Sequence, residues 1–131
     1  MRYLLDSNAV IDMLRGNENI LNKYNAESKN RNKIFICPIV YYEVIRGFKI
    51  LNANKKLEKF SNYYSVWENL PLTDKVMDKA AEIYEQLHKG QQIEDNDIYI
   101  AATAIVNNCT LVTANDKHFA RITDLKVENW R

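Results

Sequence analysis

Four acids stand where short apolar runs end or helical periodicity begins, and their placement is what could do chemistry. Asp6 closes the run Tyr3-Leu4-Leu5, and Asp116 follows Thr110-Leu111-Val112-Thr113. Glu43 lies near the start of the periodic segment Ile39 to Leu51, and Asp97 near the start of DNDIYIAATAIVN. If the apolar runs are parallel strands, Asp6 and Asp116 share the carboxyl edge of the sheet, where ligands bind in open α/β folds. Helices that follow or cross parallel strands begin at that same edge, which delivers Glu43 and Asp97 there as well. Carboxylates crowded together repel one another and require protonation or a cation. An incomplete set of oxygen ligands suits Mg²⁺ or Mn²⁺, which keep waters and bind substrate phosphates. The plainer alternative makes each acid an independent cap or surface group, and for Asp6 in MRYLLDSNAVID taken alone the cap is the simpler reading. Four acids at one edge favour the metal site.

Positioning those acids requires strands alternating with helices. The first strand turns directly into a helix carrying Val10, Ile11 and Leu14 and stopping at Gly16. A helix over Glu18 to Asn30 leads to a second strand, Ile34-Phe35-Ile36-Cys37, closed by Pro38. From Ile39 to Leu51 the stripe Val40, Val44, Phe48, Leu51 puts Glu43 beside the apolar face, where an acid is costly without a partner. Asn52 to Asn69 reads as one more helix, with Leu57, Phe60, Tyr64 and Trp67 inward. Leu70-Pro71-Leu72 reads as a minimal edge strand. Thr73 or Asp74 caps a helix running to about Lys89, buried along Val76, Ala80, Ile83, Tyr84 and Leu87 and stopped by Gly90. Asp95 reads as the cap of the next helix, whose Ala101, Ala102 and Ala104 leave it smooth enough to lie close against a sheet. After the Thr110 to Thr113 strand come a helical turn around Phe119 and a last strand near Lys126 to Glu128. The expected fold is α/β, a mostly parallel sheet of four to five short strands with helices on both faces.

Composition restricts the alternatives. A chain of 131 residues is one domain, 1–131, with a single sizeable core. With only 3 Gly and 2 Pro, a sandwich or barrel of many tight turns is disfavoured. A net charge of +1 says nothing about partners. Cys37 and Cys109 each border an apolar run and read as buried thiols of a reducing compartment. Asp6 interrupts the opening apolar run, so no signal peptide is expected, and no segment has membrane-spanning length; the expected location is the cytoplasm.

The segments LLDSNAVID, ICPIVYYEVIRG, DNDIYIAATAI, TLVTANDKHFARI and VENW, in this order and at these separations, resemble the PIN-domain ribonucleases, specifically the VapC toxins of toxin–antitoxin pairs. The resemblance covers nearly the whole chain. It implies a PIN-like fold and a Mg²⁺-dependent endoribonuclease with catalytic and metal-binding acids at Asp6, Glu43, Asp97 and Asp116, Glu43 acting directly or through water. It also places Ser7, Asn8 and Thr113 beside the site, orienting ligands or water. The last segment departs from the family's T-x-D/N-x-x-x-F pattern. Asn115 stands in the matching slot as a neutral substitute, Asp116 falls one place later, and His118 occupies a position where an acid often stands.

The resemblance further implies RNA as substrate, often initiator tRNA, a homodimer, and a VapB-type antitoxin whose tail fills the acidic groove, giving a larger hetero-oligomer. Arg46, Lys49, Lys55, Lys56 and Lys59 flank the Glu43 helix and could meet phosphates, and Tyr41, Tyr42 and Tyr99 could stack on bases. His88 and His118 read as surface residues. Two rivals lack support from the residues. A haloacid-type phosphatase needs a second Asp where Asn8 stands, and nucleotide binding lacks a Gly-rich loop. A catalytically silent PIN-like module that binds RNA or protein is the remaining alternative, and the altered Asp116 segment is what favours it.

Overall fold

The computed structural model describes residues 1–87, 90 and 93–131. Five strands form one sheet in the order β3-β2-β1-β4-β5: β1 (Arg2–Leu5), β2 (Lys33–Ile36), β3 (Glu68–Asn69), β4 (Thr110–Val112) and β5 (Val127–Glu128), every pair parallel. β1 is central because its Tyr3, Leu4 and Leu5 can be buried on both faces; Leu4 pairs with Phe35 on one side and Leu111 on the other. The chain steps one way along the sheet from β1 to β3, then crosses back over β1 to β4 and β5. The order therefore reverses between β1 and β4, and right-handed crossovers in opposite directions send helices to both faces.

Among the described residues seven helices make the connections: α1 (Ser7–Leu14), α2 (Glu18–Lys29), α3 (Pro38–Ile50), α4 (Asn54–Tyr64), α5 (Asp74–Leu87), α6 (Asp95–Val106) and α7 (Asp116–Phe119). α1 packs on α2 and α3, α3 on α4, and α5 on α6. Contact between α3 and α6 joins the two groups. Local chemistry sets the boundaries. Gly16, at φ 86°, ends α1 in the left-handed conformation that glycine adopts freely. Pro38 occupies the first turn of α3, where its missing N–H costs nothing, so β2 passes into α3 through Cys37 alone. The Thr73 hydroxyl accepts the Val76 N–H and caps α5. In α6 the residues Ile98 and Ile100 to Ala104 are all buried, which is how a helix hydrophobic on every side packs. Both cysteines are buried and free.

Five expectations need correction. The fourth helix ends at Tyr64 instead of Asn69, and the edge strand is Glu68–Asn69 instead of Leu70 to Leu72. The Leu70 N–H still donates to Ile36 O, 2.8 Å away, but Pro71 has no N–H and the ladder stops there. Trp67 is pinned just before the strand by donating to the Tyr24 hydroxyl, 2.9 Å away. Leu51 is 62% exposed, because α3 ends at Ile50 and Asn52 turns the chain at φ 52°. Tyr84 is 52% exposed: Val76, Ala80, Ile83 and Leu87 already complete the inward stripe, and the residue after Ile83 lies about 100° around the helix. Asp95 is the first helical residue and not the cap; the cap position belongs to Glu94. The expected end of α5 at Lys89 and the reading of His88 fall outside the described residues.

Candidate active site

At the switch between β1 and β4, Asp6 leaves the sheet and becomes the N-cap of α1. Its N–H still donates to Val112 O, 2.9 Å away, so the residue is held by the sheet and by the helix at once. Oδ1 accepts the Ser7 N–H at 2.8 Å. Oδ2 accepts the Thr113 hydroxyl at 2.8 Å and Asn8 Nδ2 at 3.0 Å. Asn8 then bridges the two strand ends: Nδ2 also reaches Thr113 Oγ1, 3.2 Å away, and Oδ1 accepts the Ala114 N–H at 2.9 Å. The Asn115 N–H donates to Thr113 Oγ1 at 3.0 Å. Ser7, Asn8 and Thr113 therefore fix the Asp6 carboxylate, whereas exposed Asn115 joins this network through its backbone. The cap reading of Asp6 is met, and the same side chain stands at the carboxyl edge of the sheet.

Asp6 is only 3% exposed. Burial pushes its carboxyl up to about 6, against the lowering hydrogen bonds from Thr113 and Ser7, and the nearby charges of Asp97 and Glu43 push the same way. Glu43, on α3, is also raised, first by burial and then by Asp97, while Ser7, Asn96 and Arg46 moderate the rise. Its Oε1 is buried with no hydrogen-bond partner among the described residues. Asp97, in the first turn of α6, is raised by burial, with His118 opposing. Three acids from three elements thus stand along the carboxyl edge, with Asp97 and Glu43 raising Asp6 and Asp97 raising Glu43, where α3 meets α6.

Each of the three is also turned toward a local partner, and among the described residues no three acid, His or Cys side chains stand close enough together to hold a metal ion as they lie. The donor chemistry nevertheless fits a hard divalent cation: all three groups are carboxylates disfavoured in their charged form, and Glu43 Oε1 is a buried acceptor without a donor. Mutual repulsion with an unfilled acceptor is the condition that a cation relieves.

Asp116 is engaged with a partner of its own. It starts α7, and its Oδ1 accepts Asn129 Nδ2 at 3.2 Å. His118, expected at the surface, is at the site instead, its Nε2 3.1 Å from Asp97 Oδ2. His118 lies two places after Asp116, about 200° around α7, and its ring is the one that reaches α6. The family position that usually carries an acid was the available signal. Asn96 was missed altogether; it neighbours Glu43, and its place directly before Asp97 was the only hint.

Among the expected RNA contacts, Arg46 Nη2 lies 3.8 Å from Glu43 Oε2, and its guanidinium covers the Tyr42 ring, 5.0 Å from the centroid. Tyr42 is 56% exposed. Lys49 is exposed in the last turn of α3. Tyr41 packs against Tyr64 and Phe60, with centroids 4.8 and 5.7 Å away, and Tyr99 is partly buried.

The PIN-domain family model matches residues 3–125. Ribonuclease VapC2 of Rickettsia felis is 35% identical over 136 residues, covering 99% of this chain and 98% of the relative. The crystal structure of VapBC2 from Rickettsia felis bound to a DNA fragment from their promoter contains a chain that superposes with a TM-score of 0.91 at 32% identity, over 100% of both chains. VapBC-1 from nontypeable Haemophilus influenzae gives a TM-score of 0.85 at 27% identity, over 99% of this chain and 98% of that one. A parallel sheet with acids gathered at its switch point is thus the fold of a PIN domain. The chain belongs to the PIN-domain family and, within it, to the VapC ribonucleases. No helix among the described residues is long and apolar enough to cross a membrane.

Proposed function

We propose that the protein is the toxin of a VapBC-type toxin–antitoxin pair, a Mg²⁺-dependent endoribonuclease that hydrolyses phosphodiester bonds of RNA, with tRNA, and initiator tRNA in particular, as its substrate. The observation that carries this reading is buried Asp6 at the switch point with the charges of Asp97 and Glu43 acting on it, and Glu43 Oε1 buried without a partner among the described residues. Asp6 and Asp97 would hold Mg²⁺ or Mn²⁺, with Glu43 joining through water. When bound, the ion supplies a lowered water pKa and neutralises charge on the phosphoryl oxygens. Ser7, Asn8 and Thr113 keep Asp6 in one orientation, so little rearrangement is left for the reaction itself. The partly exposed Glu43 carboxylate would accept the proton of the attacking water. Arg46 and Tyr42, side by side and exposed at the rim, are a phosphate contact and a base-stacking surface.

Two solved relatives are VapBC complexes, which supports a VapB-type antitoxin as partner. A basic side chain of that antitoxin entering the acidic site would oppose the same repulsion that a cation relieves, and the protein would act as a homodimer within a larger hetero-oligomer. The test is to incubate purified protein with a tRNA pool in Mg²⁺ and in EDTA, beside Asp6→Asn. Cleavage by wild type in Mg²⁺ alone supports the reading. Equal cleavage in all samples would reveal a contaminating nuclease, and cleavage in none would leave the silent RNA- or protein-binding module in its place.

A further inference from the structure

His118 is a cationisable side chain on α7 bonded to an acid of the site on α6, and the endoribonuclease reading leaves it without a task. Its position is built. The His118 N–H donates to Asn115 O, 3.0 Å away, within α7. Its ring meets the buried Phe119 ring edge-on, with centroids 5.3 Å apart. Nε2 then ends 3.1 Å from Asp97 Oδ2, across 21 residues of sequence. An ionised carboxylate only accepts, so Nε2 carries the hydrogen whenever Asp97 is charged, and this bond fixes which way the carboxylate faces. Asp6 owes its orientation to three donors, whereas His118 supplies the hydrogen bond described for Asp97. Carboxylate ligands are commonly held by such outer partners, and losing one typically costs metal affinity.

We propose that His118 is a positioning residue that orients Asp97 for divalent-cation binding, replacing with a neutral or cationic donor the repulsion that an acid at this place would add. The inference rests on the metal-dependent reading of the site, and its consequence is specific. The His118–Asp97 bond makes α7 part of the ion site through a donor, while Asp116 on the same helix stays engaged with Asn129.

The test is Mn²⁺ affinity of the intact protein, read from the signal of free Mn²⁺ in electron paramagnetic resonance, for wild type, His118→Ala and His118→Gln. Thermal unfolding without metal controls for folding, and His118 is only partly buried. His118→Ala should bind Mn²⁺ about 10- to 100-fold more weakly at an unchanged metal-free Tm. His118→Gln, whose amide can still donate to Asp97, should recover most of that loss. Equal or tighter binding by His118→Ala, with wild type binding normally, overturns the role of His118 and leaves the metal site standing. Absence of Mn²⁺ binding by wild type overturns both.

Discussion

Asp6 sits among three donors and two like charges, and this balance decides what its neighbours are worth. Thr113 Oγ1 donates to Asp6 and receives both Asn8 Nδ2 and the Asn115 N–H. Thr113→Val should therefore lower stability by about 1–3 kcal/mol, because buried groups lose partners with no water to replace them; urea denaturation measures it. Asp6→Asn keeps a residue that caps helices well, so the variant should fold. Its cleavage rate should nevertheless fall by on the order of 10²- to 10³-fold through loss of a preorganised charge at the reacting phosphate. A tRNA cleavage time course at saturating Mg²⁺ reads this directly, and a rate near wild type would remove Asp6 from the chemistry. At this scale the sequence was informative wherever a residue's job follows from its place after a strand, as for Asp6 and Thr113. It was uninformative for His118, because which residue of a four-residue helix faces α6 depends on where that helix begins, and Asn115 precedes it with no side-chain cap to mark the start.

Among the elements, α6 bears the tightest constraint. Ala101, Ala102 and Ala104 are fully buried, so the helix backbone lies close to its neighbours with no space for longer side chains. Ala101→Leu should cost about 1–3 kcal/mol by overpacking and should also weaken Mg²⁺-dependent cleavage, since Asp97 stands one turn before it on the same face. Paired measurements of Tm and cleavage rate would check this; a stability loss with full activity would mean that α6 does not position Asp97. Helices with long apolar stripes were legible from spacing alone, down to the Thr73 cap and the Gly16 stop. The Asn52 to Asn69 segment was not, because its aromatic residues continue a helical pattern past Tyr64 while serving another purpose. Trp67 and Tyr63 stack, 5.5 Å apart, and Tyr24 meets both edge-on, at 6.1 and 5.6 Å. That cluster ties α4 to α2 and leaves Glu68–Asn69 to extend the sheet.

For the molecule as a whole, stability and activity are lodged in different places. On α2, away from the switch point, Glu27 accepts from Lys23 at 2.9 Å and from Asn32, and these bonds hold its carboxyl below the ordinary 4.5, Lys23 contributing most. A carboxyl depressed in the folded state contributes stability above its unfolded pKa and loses that contribution as pH falls through the folded one. Wild type should accordingly lose stability on acidification below about 4.5, and Glu27→Gln should show a shallower acid slope from a lower starting Tm. Unfolding scans from pH 7 to pH 3 compare the two, and parallel slopes would count against the network. The acid site, by contrast, gathers charge that the fold alone does not neutralise. The order of strands could be only partly foreseen, since alternating elements imply a parallel sheet without saying that β4 lies beside β1; that neighbour relation brings Thr113 to Asp6.

The central claim is that Asp6, Glu43 and Asp97 share a divalent ion. Anomalous scattering from crystals of the wild-type protein soaked in Mn²⁺ tests it most directly. The account predicts a peak bounded by the Asp6 and Asp97 carboxylates with Glu43 facing it; a peak at Asp116 and Asn129, or none at the acids in a protein that still cleaves tRNA, would contradict it.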